Sequence, residues 1–153
     1  MTVSVTKTVP ALAVTDIADG DVATVIALWQ ACGLTRPWND PAADIALARR
    51  GPHSTVLIGR DGAEIVATAM VGHDGHRGWV YYVATNPDRR AKGYGRAIMN
   101  AVEDWLRATG IPKLQLLVRR ENVGVAAFYQ SIGYEEAQTV VFAKWLDGRG
   151  PTS

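Results

Sequence analysis

A mixed α/β layer fold is what this chain predicts, and three observations predict it. Apolar residues recur at helical spacing in four stretches, near residues 17–31, 41–50, 98–106 and 123–132. Between the second and third of these the period becomes that of β-strands for three runs in series. Asp61-Gly62 joins the first two runs too tightly for a helical crossover, so they pair antiparallel and the chain is no regular βαβ repeat.

The elements follow in order. Residues 10–15, PALAVT, read as a short strand. Val22, Val25, Ile26, Leu28 and Trp29 mark a helix over Ile17 to Ala31, stopped by Gly33. Asp40-Pro41 is an N-cap followed by proline at the first helical position, opening a helix to about Arg50. STVLIGR and AEIVATAMVGH form the hairpin, DGHRG (74–78) turns the chain, and WVYYVAT is the third strand. The loop NPDRRAKGYG leads into a helix carrying Ile98, Met99, Val102, Trp105 and Leu106, broken at Ile111-Pro112. KLQLLV is a strand, ENVGVAAFYQSI a helix closed by Gly133, and YEEAQTVVFAKWL supplies one or two more strands. The predicted order is β-α-α-β-β-β-α-β-α-β(β), in one domain over residues 1–153 with tails at 1–8 and 147–153.

Composition bounds the function. The net charge is +1, with 48% apolar and 20% charged residues, which gives no argument for a nucleic-acid or membrane partner. The lone cysteine, Cys32, excludes an intrachain disulfide and a cysteine-rich metal cage. The N-terminus has no secretory apolar region and no run is long enough to span a bilayer, so a cytoplasmic location is expected. A monomer and a homodimer are both compatible with this composition.

The chemistry concentrates in RRAKGYGRA, residues 89–97. A helix N-terminus presents unpaired N–H groups and partial positive charge, and a glycine-rich entry lets a phosphate approach them closely. Arg90, Lys92 and Arg96 add charge, so residues 90–96 read as a cradle for a phosphate or pyrophosphate. The plainer reading is a solvated turn with glycine caps. No Walker loop matches, and a dinucleotide fingerprint would need a small residue at Ile98 and glycines directly behind the strand.

Arg90, Gly93 and Gly95, in R-x-x-G-x-G, resemble the acetyl-CoA pyrophosphate loop of the GCN5-related N-acetyltransferase (GNAT) family. YYVATNPDRRAKGYG is similar to that family's strand and loop. Asn122, Tyr129, Gly133 and Tyr134 resemble its second cofactor segment. LWQACGLTRPWNDP and GHDGHRGWVYY are similar to the YpeA-type members. The resemblance implies a GNAT acyl-CoA N-acyltransferase fold and acetyl transfer from acetyl-CoA to an amine, without a metal.

Residue by residue, it implies pairing of the pantetheine arm with Val83 and Thr85, with Ala84 between them. The pyrophosphate meets backbone N–H groups over Ala91, Lys92, Gly93, Tyr94, Gly95 and Arg96, Asn122 bonds the arm, and Tyr129 protonates the departing thiolate. A phenol and a thiol have comparable pKa values, so that transfer is chemically reasonable. The competing role for Tyr129 is a packed aromatic. For the general base the candidates are His73, Asp74, His76 and Tyr81, against a reading of the first three as turn residues. Many family members carry Glu on this strand, where this chain has Trp79, Tyr81 and Tyr82. His73 and His76 alone make a weak metal site, lacking a third ligand.

The acceptor, a small-molecule or peptide amine, should meet Arg36, Trp38 and Asn39 between the first two helices, together with Asp74 and His76; Asp40 is assigned to capping. Members that acetylate ribosomal-protein N-termini carry Glu where this chain has Leu117, which weakens that substrate. Two rivals stand beside the transferase: an acyl-CoA-binding or sensor protein of the same fold without turnover, and a nucleotide-binding oxidoreductase resting on GYG alone.

Overall fold

In the computed structural model, residues 12–90 and 92–150 are described. They group into two compact units, one ending at Leu117 and the other beginning at Val118. The first unit holds a five-stranded sheet ordered β1-β2-β3-β4-β5. Its strands are β1 (Ala13–Asp16), β2 (Ser54–Asp61), β3 (Glu64–His73), β4 (Gly78–Thr85) and β5 (Leu114–Gln115). The first four pair antiparallel and β5 joins β4 in parallel. The mixed α/β class is the one expected; Pro10 and Ala11 of the first predicted strand lie outside the described residues.

Helix α1 (Val22–Ala31) starts later than the spacing suggested, because Asp19–Asp21 form a 3-10 turn. Gly33, at φ +68°, ends it in a conformation that L side chains rarely adopt. Helix α2 (Pro41–Ala48) is capped as expected: the Asp40 carboxylate accepts from the Ala42 and Ala43 N–H groups at 3.1 and 3.2 Å. The hairpin turn falls one residue later than Asp61-Gly62. Asp61 and Glu64 pair, leaving Gly62 and Ala63 as the loop.

Val25, Leu28 and Trp29 of α1 and Ile45 and Ala48 of α2 bury against Val56 and Ile58 of β2 and Ala84 of β4. The Trp29 indole N–H donates to Thr68 Oγ1 at 2.8 Å, satisfying the one polar group it brings inside. Leu57, between Val56 and Ile58, is buried outside that cluster and so faces the opposite side of the sheet. There α3 (Tyr94–Ala108) packs, burying Ile98, Met99, Val102 and Leu106. A Cβ at Gly78 would stand 2.5 Å from a methyl carbon of Leu106, so a side chain at residue 78 would force that buried leucine to shift. Thr109 and Gly110 (φ +79°) already close α3 before Ile111-Pro112, the expected breaker.

Strand β4 is irregular. Thr68 pairs with Ala84 and Met70 with Tyr81, so Tyr82 and Val83 together face Ala69. Tyr82 has φ +52°, the one positive φ outside glycine among the described residues. This bulge re-aims the side chain: alternation from Gly78 would send Tyr82 toward α3, yet its ring stacks on Trp29 at 3.9 Å.

The second unit contains α4 (Val123–Ser131), followed by Gly133 at φ +101°. Two strand expectations fail, one around β5 of the first unit and one in the second unit. Only Leu114–Gln115 of KLQLLV is a strand, and residues 134–146 carry none among the described residues. The alternation in TVVFAKWL is strand-like, but a strand forms only where a partner supplies the other half of its hydrogen bonds. Val140, Val141, Phe142 and Leu146 stay exposed, Phe142 at 94%.

Candidate active site

The site is built along β4. Its Gly78 and Trp79 pair with β5, and no β5 partner continues beyond them. Asn86 donates its N–H to the Val66 carbonyl at 2.8 Å, so by alternation Ala84 also turns its backbone toward β3. Val83 and Thr85 therefore direct N–H and C=O away from β3, onto the edge that β5 leaves open. An amide-bearing arm can pair with such an edge as an added strand. One group is already engaged: the Cys32 thiol donates to the Thr85 carbonyl at 3.1 Å. Burial pushes this thiol up, partly offset by Arg90. Sequence reasoning missed Cys32, since a contact across 53 residues leaves no local signal.

Beyond Thr85 the chain makes a 3-10 turn (Pro87–Arg89) and enters α3 through Gly93, at φ +79°. The first N–H groups of this 15-residue helix have no intrahelical acceptor and point into the loop. Arg90, Lys92 and Arg96 are exposed and make no ion pair among the described residues. Ala91 lies outside the described residues. Arg89 differs: Glu64 and Asp61 hold it. The buried Tyr94 packs its ring into the fold and donates its hydroxyl to Asp61 at 2.5 Å, so it enters the loop by its backbone N–H alone.

Tyr81 lies beside the bulge and is 47% exposed; partial desolvation raises its phenol. Tyr82 donates its hydroxyl to Asp44 of α2 at 2.7 Å, and burial first, then that carboxylate, drive its pKa far above the usual phenol range. It is a structural proton.

The turn residues are not brought to the glycine loop. His73 pairs with Gly78, seven residues and about 23 Å along β4 from Thr85. Its Nδ1 accepts from the Gly75 N–H, and its ring meets His53 and Trp105. The Asp74 carboxylate accepts from the His76 and Arg77 N–H groups, bonds that hold its pKa below the ordinary value. His76 is exposed. No cluster of three metal-ligating side chains occurs among the described residues.

On the α1–α2 connection, Arg36 donates to the Gly33 and Thr35 carbonyls at 2.8 and 3.1 Å, closing the end of α1. Trp38 is 37% exposed, and Asn39 donates its backbone N–H to the Arg36 carbonyl.

In the second unit, Asn122 is exposed at the start of α4 and its side chain makes no capping bond. Tyr129 follows seven residues later, two turns on and on the same face. It is buried, packed edge-on against Phe128 and Tyr134, and burial pushes its phenol up to about 12.

Residues 23–134 match the Acetyltransferase (GNAT) family. The chain belongs to that family. It is 39% identical over 126 residues to an acetyltransferase of Yersinia pestis (strain Pestoides F), covering 82% of this chain and 89% of that protein. Among solved structures it is similar to the aminoglycoside N-acetyltransferase AAC(6')-Iy in complex with CoA, at 16% identity and a TM-score of 0.75 over 89% and 95% of the two chains. It is also similar to the ribosomal-protein-S18-alanine N-acetyltransferase of Escherichia coli, at 21% identity and a TM-score of 0.70 over 84% and 80%. At those identities the two structures share the GNAT fold with this chain. No helix among the described residues is long and apolar enough to cross a membrane.

Proposed function

We propose that this GNAT protein transfers acetyl from acetyl-CoA directly to an amine of a small molecule or peptide in the cytoplasm, with residues 1–153 acting as one domain. The carrying observation is the β4 edge at Val83 and Thr85, which no strand pairs among the described residues, running into a helix N-terminus beside Arg90, Lys92 and Arg96, which make no ion pair among those residues. A ligand fitting both must carry amide groups and, about a strand's end away, phosphates. The family match, which crosses from the first unit into the second, supports the single-domain reading.

In this reading acetyl-CoA supplies the thioester. Val83 and Thr85 orient its arm, and the N–H groups at the head of α3 with Arg90, Lys92 and Arg96 hold its phosphates. Asn122 bonds the arm. The amine nitrogen adds to the thioester carbonyl, a C–N bond replaces the C–S bond, and the departing sulfur takes a proton from Tyr129. A phenol raised to about 12 stays protonated at neutral pH, as a general acid requires. The amine's proton leaves to water, directly or through the Tyr81 hydroxyl, which passes its own proton on to water as it accepts one, because β4 offers no carboxylate and the Tyr82 proton is held by Asp44. Trp38 and Asn39 flank the acceptor; Arg36 contributes mainly by closing α1.

The experiment is acetyl transfer by Tyr129→Phe. The ring remains, so CoA affinity should hold while kcat falls at least about tenfold. Unchanged kcat would assign Tyr129 to packing. The pH response adds a check. Deprotonation is disfavoured in the folded state, so this phenol's contribution to stability is complete below about pH 10 and is lost as pH rises through about 12. Tyr129→Phe should flatten that part of the alkaline decline in melting temperature.

One observation favours a second reading, an acyl-CoA sensor: Trp79, Tyr81 and Tyr82 stand where a carboxylate base would be expected. Thiol release from acetyl-CoA across an amine panel separates the two, since a sensor is stabilised by CoA without releasing thiol.

A further inference from the structure

The basic loop is pinned at both ends to one point. That point is the tip of the β2–β3 hairpin, where Asp61 and Glu64 pair across the two-residue turn. Glu64 accepts from the Asn86 side-chain amide at 3.0 Å and from the Arg89 guanidinium. Asp61 accepts from the Tyr94 hydroxyl at 2.5 Å and stands 3.7 Å from Arg89. Asn86 and Arg89 precede the loop; Tyr94 follows it. Only residues 90–93 span the gap. Asn86 also turns its side-chain oxygen back onto the Asp88 N–H at 3.0 Å, ordering the approach.

Two consequences follow. The latch anchors the helix head through Tyr94, so the N–H groups of residues 94–96 keep their direction whether or not a ligand is present. It also sorts the charge: of the basic residues from 89 to 96, Arg89 is neutralised by the hairpin, whereas Arg90, Lys92 and Arg96 make no ion pair with a carboxylate among the described residues. The exposed charge of the loop that the hairpin does not neutralise is therefore that of Arg90, Lys92 and Arg96.

We propose that Asp61 and Glu64 are positioning residues for the cofactor's phosphates, acting through Tyr94 and through Asn86 and Arg89. This rests on the acetyl-CoA reading above. The hairpin touches no reacting atom, so it should set affinity for the phosphate-bearing donor and leave the chemical step alone.

The test uses the full chain with Tyr94→Phe, Glu64→Gln and the charge-swapped pair Glu64→Arg with Arg89→Glu. Steady-state kinetics are measured with acetyl-CoA and with acetyl-pantetheine, which has the arm but lacks the phosphates. Tyr94→Phe and Glu64→Gln should each raise KM for acetyl-CoA about fivefold, the effect of losing one net hydrogen bond, with kcat unchanged. KM for acetyl-pantetheine should not move, and the swapped pair should recover at least half of the loss. A lowered melting temperature with wild-type KM for acetyl-CoA would overturn the proposal, as would equal losses for both donors. If unaltered protein neither binds CoA nor turns over acetyl-CoA, the acetyl-CoA reading fails instead, and the two failures are told apart on the first day.

Discussion

The two ends of β4 both carry a polar, glycine-containing loop, and they are built on opposite principles. At the Gly78 end, Asp74 is satisfied by N–H groups two and three residues away, and Gly75 bonds His73; the turn closes upon itself. At the Thr85 end the polar partners come from 22 to 33 residues away, and three cations are left over. A self-satisfied turn needs nothing further. A loop held from a distance, with exposed cations that make no ion pair among the described residues, suits the anion that the proposed function places there. Polar content alone does not separate the two ends, since both read as candidate sites by composition.

The strongest way to break this contrast is Gly93→Val. At φ +79° a β-branched side chain is strained, and the helix head would shift. We expect CoA affinity to fall roughly tenfold to a hundredfold, read as loss of the melting-temperature rise that excess CoA produces. Wild-type affinity would show that the loop end is as self-contained as the turn end. Next in size is Tyr82→Phe, which leaves the Asp44 carboxylate without its donor and loosens the bulge. Stability should fall by about 1–3 kcal/mol in chemical denaturation. Arg90→Ala sharpens the contrast: CoA affinity should drop about threefold to tenfold while acetyl-pantetheine is unaffected, measured by calorimetry. Asp74→Asn, at the other end, should lower stability by less than about 1 kcal/mol and change neither KM nor kcat. A kinetic effect there would return the His73–His76 turn to the active site.

What could be read from the sequence follows the same division. Asp40 capping α2, Gly33 ending α1 and the Asp61–Glu64 hairpin depend on neighbours two to four residues away, so their residue types announce them. R-x-x-G-x-G was legible for that reason too. The bulge at Tyr82 was not, because tyrosine is no turn residue; its positive φ is maintained by Trp29, Thr68 and Asp44, 14 to 53 residues distant. The partner of Arg89 was equally hidden, and all four basic residues of the loop looked alike. In TVVFAKWL the alternation suggested a strand, but pairing is a property of two segments and one segment cannot declare it.

Helix α3 is fastened at two places: Tyr94 to Asp61 near its head, and Leu106 against bare Gly78 near its tail. Twelve residues separate them, about 18 Å of rigid rod. The helix is therefore a gauge. It transfers the spacing of two fixed points on the sheet to the place where the loop begins. Residues on its outer face can be exchanged freely, but its length cannot. Adding or removing one residue between the fastenings would rotate head against tail by about 100°, so only one of them could seat.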